Sequence, residues 1–219
     1  MSAAGPRRAL VAGAVGRQGE ALLNRVLGAG DYAEVVALAG APMALGVRGL
    51  SLAAIDDLPP LDDVFVLLSE PDDRLSRSFY GRDAAFVQVS ADACLRVAQA
   101  AVAAGATRLV LISPMPAWQQ VGHFHRGLAN DAELALSQLP LASLVVLRPV
   151  RESSARGASL LQRMVAGYLS LQLLMLPKSV EVFTSEKLAR CALAAMRQAR
   201  AGLDVFAADT MGRLLARDT

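Results

Sequence analysis

Residues 8–23 read Arg-Ala-Leu-Val-Ala-Gly-Ala-Val-Gly-Arg-Gln-Gly-Glu-Ala-Leu-Leu: an apolar run that breaks into three glycines at three-residue spacing and then resumes with helical periodicity. A strand ending near Ala12 delivers Gly13 into a turn that needs unusual backbone angles. Gly16 lets the backbone approach a ligand with no Cβ in the way, and Gly19 lets the following helix pack closely on the sheet. That helix is expected over 18–29, with Ala21, Leu22, Arg25 and Val26 setting its faces, and a second apolar run from Val35 to Ala39 completes a strand–helix–strand unit. The unpaired N–H groups at the helix start and the positive end of its dipole face an anion. Gly13, Ala14, Val15, Gly16, Arg17, Gln18 and Gly19 are thus candidates to seat the pyrophosphate of a dinucleotide.

At 219 residues the chain suits one domain with a real core. It is 54% hydrophobic and only 19% charged, but the apolar residues fall in short runs separated by Gly, Pro and Asp, as buried parallel strands do. The most apolar stretch, Met164 to Leu176, is interrupted by Gly167, Ser170 and Gln172 and falls short of the roughly 20 residues a bilayer span needs, so no membrane span is expected. The first residues run into the first strand without a cleavable apolar region, pointing to the cytoplasm. Net charge is +2, and the cations are scattered rather than blocked, which argues against a nucleic-acid partner. Cys94 and Cys191 lie in apolar helical patterns and read as buried thiols of a reducing compartment. The only histidines, His123 and His125, have no ligand-spaced partners, so no metal is expected. No G-x-S-x-G elbow occurs, and no lysine follows the glycines as in a Walker loop.

Strand and helix patterns alternate in the order of a parallel, helix-covered sheet. Strands are expected at 8–12, 35–39, around Leu50 to Ala53, at 64–68, 109–112, 144–147 and 203–206. Helices are expected over 18–29, from Asp83 to Ala104 (Phe86, Val89, Ala93, Val97 and Ala101 on one face), from Asn130 to Leu139, over 158–176, from Ser185, and at the end of the chain. A polar loop runs from Ser69 to Arg82. Composition changes near residue 150, which divides the chain into a nucleotide-binding core, 1–150, and a small C-terminal substrate-side lobe, 151–219. The fold class is α/β: a Rossmann-like doubly wound parallel sheet with helices on both faces.

With Gly13-x-x-Gly16-x-x-Gly19, Ile112-Ser113 closing a strand after Gly105-Ala-Thr-Arg108, and Leu147-Arg148-Pro149 closing the next, the chain resembles the atypical short-chain dehydrogenase/reductase superfamily over residues 8–215. It is most similar to the small NmrA-like NAD(P)-binding proteins and to bacterial sugar-nucleotide epimerase-like relatives. The resemblance implies a dinucleotide partner and contact positions at Ala39 and Gly40, Leu68 and Ser69, and Pro149. In catalytic members a Tyr-x-x-x-Lys pair follows the serine-bearing strand, the lysine lowering the tyrosine pKa and gripping the ribose. Here the tyrosine position falls on His125 and the lysine position on Ala129, while Ser113 matches the family serine.

The cofactor contacts also depart from the pattern. Where an Asp would accept the ribose 2′-OH, or an Arg would meet a 2′-phosphate, the sequence has Leu38-Ala39-Gly40. Arg17 and Arg48 are the nearest guanidinium groups, which favours NADP over NAD. Glu70 would repel phosphates if it pointed inward, and Ser90 stands where relatives often have Asp. These substitutions describe an NAD(P)(H)-binding protein with a degenerate active site, using NADP or NAD weakly or not at all and acting as a nucleotide-responsive binding or regulatory protein. Two rivals stay open. One is an NADP-dependent oxidoreductase or epimerase on a small carbonyl compound, with Ser113 and His125 handling protons. The other is a structural partner whose 158–176 helix, apolar on more than one face, makes a homodimer or a heterocomplex and whose nucleotide site is vestigial.

Overall fold

The computed structural model describes residues 7–40, 46–69, 85–115, 131–150 and 183–216. Their strands are β1 (Arg8–Ala12), β2 (Glu34–Leu38), β3 (Leu50–Ala53), β4 (Asp63–Leu67), β5 (Arg108–Ile112), β6 (Ser143–Arg148) and β7 (Gly202–Ala207). They form one seven-stranded sheet in the order β3-β2-β1-β4-β5-β6-β7, and every neighbouring pair is parallel. The chain therefore winds outward from β1 to β3, returns beside β1 as β4, and winds outward the other way. That reversal leaves a crevice at the carboxyl ends of β1 and β4, where open α/β sheets bind ligands.

The central strands read as apolar runs because both faces are covered, whereas the edge strands β3 and β7 are less buried. Ala9, Val11, Phe65, Leu67, Val110 and Ile112 face one core, filled from the other side by α1 (Gly16–Gly28), α4 (Ser185–Arg197) and α5 (Ala208–Ala216). Leu10, Ala12, Val64, Val66, Leu109 and Leu111 alternate with them into a second core under α2 (Ala91–Ala103) and α3 (Asp131–Ser137). Residues 183–216, the described part of the expected C-terminal lobe, add β7 to the sheet and α4 and α5 to its first face. Cys94 and Cys191 are fully buried thiols in α2 and α4.

One helix differs from its sequence expectation. The pattern placed helix from Asp83, but α2 begins at Ala91, after Ser90 turns the chain and its side chain accepts the Ala93 N–H at 3.2 Å. This is ordinary N-capping by a serine hydroxyl. Phe86 and Val89, expected on the helix's apolar face, instead form bridges with Ala39 and Leu68. Periodicity could not separate the two outcomes, because both set Phe86 and Val89 against the core.

The opposite, amino edge of the sheet is fastened by one carboxylate. Asp63 at the start of β4 is completely buried and accepts two hydrogen bonds from Arg108, at 2.7 and 2.8 Å, one from the Tyr32 hydroxyl at 2.7 Å, and one from Arg7. These groups come from the starts of β1, β4 and β5 and from the connection before β2, so they lock four segments at one point. A bidentate guanidinium and a phenol satisfy its oxygens, but burial outweighs them and pushes the Asp63 carboxyl above the ordinary carboxylate range. Burial first, and the Asp63 carboxylate second, push the Tyr32 phenol above the ordinary tyrosine range.

A phenol held protonated only in the folded state gives stability that is intact below its unfolded pKa of about 10 and lost as pH rises beyond it. Urea unfolding between pH 9 and 11 is therefore expected to show a steeper fall for wild type than for Tyr32→Phe. Asp63→Ala, which leaves partly buried guanidinium and phenol donors unpaired, is expected to cost about 1–3 kcal/mol in the same assay at pH 7.

Candidate functional site

Backbone geometry at the β1–α1 turn follows from its glycines. Gly13 has φ +85° and Gly16 φ +68°, both in the left-handed region. A Cβ on Gly13 would lie 2.2 Å from the Leu67 carbonyl oxygen, so β4 abuts the turn directly. A Cβ on Gly19 would lie 2.4 Å from the Gly13 carbonyl oxygen and 2.5 Å from the Ala14 carbonyl carbon. The sequence assigned Gly19 to helix–sheet packing; its closest neighbour is instead the turn itself. Gly16 differs from both, since a Cβ there meets nothing within 4 Å.

The result is a helix start pinned against the end of β1 and open on its outer side. Val15 caps α1 with extended backbone and no side-chain hydrogen bond, and the first turn carries no acid. Its leading N–H groups therefore lack the usual internal acceptor and point a positive partial charge toward the crevice. Arg17, exposed in that first turn, adds a full positive charge. These groups suit an anion of pyrophosphate type.

The parallel sheet carries most of the other expected contact residues to the same edge. Ala39 and Gly40 follow β2, Leu68 and Ser69 follow β4, Ser113 follows β5, and Pro149 follows β6. The Leu68 N–H donates to the Ile112 carbonyl at 2.9 Å, Ser113 to Leu147 at 2.9 Å, and Met115 to Pro149 at 3.0 Å, so β4, β5 and β6 stay paired beyond their formal ends. Ser113 is only 7% exposed. His125, Ala129, Glu70 and the 158–176 helix lie outside the described residues.

Arg48 does not join this group. It precedes β3, whose first residue pairs with Val35 near the start of β2, so it stands at the amino edge of the sheet. The 2′-phosphate role offered for it in the sequence is corrected on this ground: parallel register places it a strand length away from Ala39. Among the described residues, Arg17 is the guanidinium in the glycine turn itself.

Two features were not drawn from the sequence. Arg148, the last residue of β6, is fully buried and donates to Glu133 of α3 at 2.5 Å, with Glu133 only 1% exposed. The pair ties the start of α3 to the carboxyl end of β6, beside Ser113. Burial first, and the Glu133 carboxylate second, push the Cys94 thiol up to about 12. Cys94 is thus a packing residue and not a nucleophile. The available signal was a charge set in each of two apolar patterns, Leu144 to Leu147 before Arg148 and Ala132 to Leu136 around Glu133. The second feature is the extended stretch 85–89, whose partners at the ends of β2 and β4 are separated from it by more than a dozen residues.

No protein-family model matches the chain, and no curated protein matches it in sequence. Solved structures do share its architecture. A short-chain dehydrogenase/reductase superfamily protein from Agrobacterium tumefaciens with bound NAD is 17% identical, covering 96% of this chain and 81% of that one with a TM-score of 0.54. A short-chain dehydrogenase/reductase family oxidoreductase from Burkholderia thailandensis is also 17% identical, covering 98% and 97% with a TM-score of 0.52. MoeE5, solved in complex with UDP-glucose and NAD, is 19% identical, covering 91% and 75% with a TM-score of 0.51. Fold and turn together define a Rossmann α/β protein. More narrowly, the chain shares the Rossmann fold of these solved structures.

The three glycines are expected to respond differently to alanine. Gly16→Ala should cost about 1–2 kcal/mol, the left-handed backbone penalty alone. Gly13→Ala and Gly19→Ala should each cost more than that, because backbone atoms must also move. Urea midpoints of the three variants test this, and equal losses would contradict the packing described.

Proposed function

We propose that the chain binds a nicotinamide dinucleotide, with the pyrophosphate against the N–H groups of Gly16, Arg17 and Gln18. The observation that carries this reading is the turn: two glycines closed on backbone, a third open to space, and an uncapped helix start facing it. Ala14, Val15, Leu68 and Ser69 would line the phosphate and inner ribose, and Ala39 and Gly40 the outer ribose. A bound nicotinamide supplies hydride chemistry. The residues of this chain supply position and charge. With Arg48 at the far edge, preference for NADP(H) over NAD(H) rests on Arg17.

The family's tyrosine and lysine positions fall on His125 and Ala129, so nothing at the second position replaces an ammonium gripping the ribose. This supports an NmrA-like, nucleotide-responsive binding or regulatory protein with a degenerate active site. Its two buried thiols suit a reducing compartment such as the cytoplasm. A second reading, an oxidoreductase or epimerase, is favoured by one observation: Ser113 stands at the carboxyl end of β5, where a hydroxyl would meet a substrate oxygen. In that reading Ser113 holds the oxygen and His125 moves the proton.

Calorimetric titration with NADPH and NADH tests the binding claim. Wild type should bind at least one of them, and Gly16→Trp, which fills the open side of the turn, should weaken binding at least tenfold, about 1.4 kcal/mol. Absence of binding by both nucleotides would overturn it. Hydride transfer to a panel of small carbonyl compounds separates the two readings: the binding protein shows none, whereas turnover lost in both Ser113→Ala and His125→Ala establishes the enzyme.

A further inference from the structure

Residues 85–89 leave the helical course their sequence suggests and lie extended along the carboxyl edge of the sheet. The Val87 N–H donates to the Leu38 carbonyl at 3.1 Å, and the Gly40 N–H donates to the Ala85 carbonyl at 3.0 Å, flanking an antiparallel bridge between Ala39 and Phe86. Three residues later the Ser69 N–H donates to the Val89 carbonyl at 2.9 Å, and Leu68 bridges Val89. Since β1 lies between β2 and β4, the stretch spans from one side of the glycine turn to the other.

Its side chains alternate as those of a strand do. Phe86 packs on the core beneath α1, and Val87 packs on the opposite core. In a dinucleotide fold, the end of the second strand is where the outer ribose is held. Here the single donor of the Gly40 amide is already committed to Ala85, and Phe86 stands beside it. The phosphate position at Gly16 remains open.

We infer that residues 85–88 form a strap that occupies the outer-ribose position of the crevice and must leave the end of β2 before a full dinucleotide can bind. The inference rests on the dinucleotide reading above and adds its regulation. The hinge is Val89–Ser90: Val89 is fully buried, and Ser90 caps α2. Beyond it, Phe86 and Val87 are half-buried, and backbone hydrogen bonds join Val87 to Leu38 and Gly40 to Ala85. The apparent dinucleotide affinity is then the intrinsic affinity reduced by the fraction of molecules with the strap released. A ligand consisting of pyrophosphate alone needs no release.

Val87→Pro removes the N–H that bonds Leu38 while suiting extended backbone. It is expected to bind NADPH or NADH about fivefold more tightly than wild type, the change expected from the net worth of one hydrogen bond. Its affinity for inorganic pyrophosphate should be unchanged. Phe86→Ala, which keeps the backbone intact, should shift dinucleotide affinity in the same direction and serves if the proline variant does not fold. In wild type, hydrogen exchange at the Gly40 and Val87 amides should quicken when dinucleotide is added. Equal or weaker dinucleotide binding by the variants, or slower exchange at those amides, would overturn the strap and make residues 85–88 a floor of the pocket. If wild type and both variants bind no dinucleotide, the dinucleotide reading itself fails.

Discussion

The contact on which this architecture depends is the seating of Gly19 against the backbone of Gly13 and Ala14. With 2.4 Å between a would-be Cβ and the Gly13 carbonyl oxygen, no other residue fits without moving main chain. The contact fixes where α1 begins relative to the end of β1, and so which N–H groups are left facing outward. Gly13 transmits the same constraint sideways to β4 through the Leu67 carbonyl. The opening of the crevice is thereby a property of backbone packing rather than of any particular polar side chain.

The two edges of the sheet divide the work. At the amino edge, the buried Asp63 gathers Arg7, Tyr32 and Arg108 around its carboxylate, and Arg8 bonds Glu34 while Glu34 accepts from Ser51. These contacts pair both carboxylates with guanidinium and hydroxyl donors. At the carboxyl edge the glycine turn keeps its donors pointing outward, and the buried Arg148–Glu133 pair holds α3 in place without presenting charge to the crevice. Paired charges gather at one end and the open glycine turn stands at the other.

Much of this was legible because it is written in local pattern. The β1–glycine–α1–β2 unit needs only periodicity and glycine spacing, and its observed bounds lie within a residue or two of those expected. The features that were not legible depend on register or on distant partners. Arg48 could be set at the wrong edge because its position relative to β2 is defined only once β3 pairs with Val35. Asp63 carries no local signal of its role, since its partners come from residues 7, 32 and 108. Phe86 and Val89 match both a helix face and an edge-crossing strap, and only the partners at Ala39 and Leu68 decide between them.

The central claim is that the N–H groups of the opening turn are the anion seat. Amide proton–nitrogen spectra recorded during addition of NADPH test it most directly. The account predicts that the largest shifts fall on Val15, Gly16, Arg17 and Gln18, while Arg8, Tyr32 and Asp63 at the amino edge stay unmoved. Shifts centred at the amino edge, or none in the glycine turn at saturating nucleotide, would contradict it.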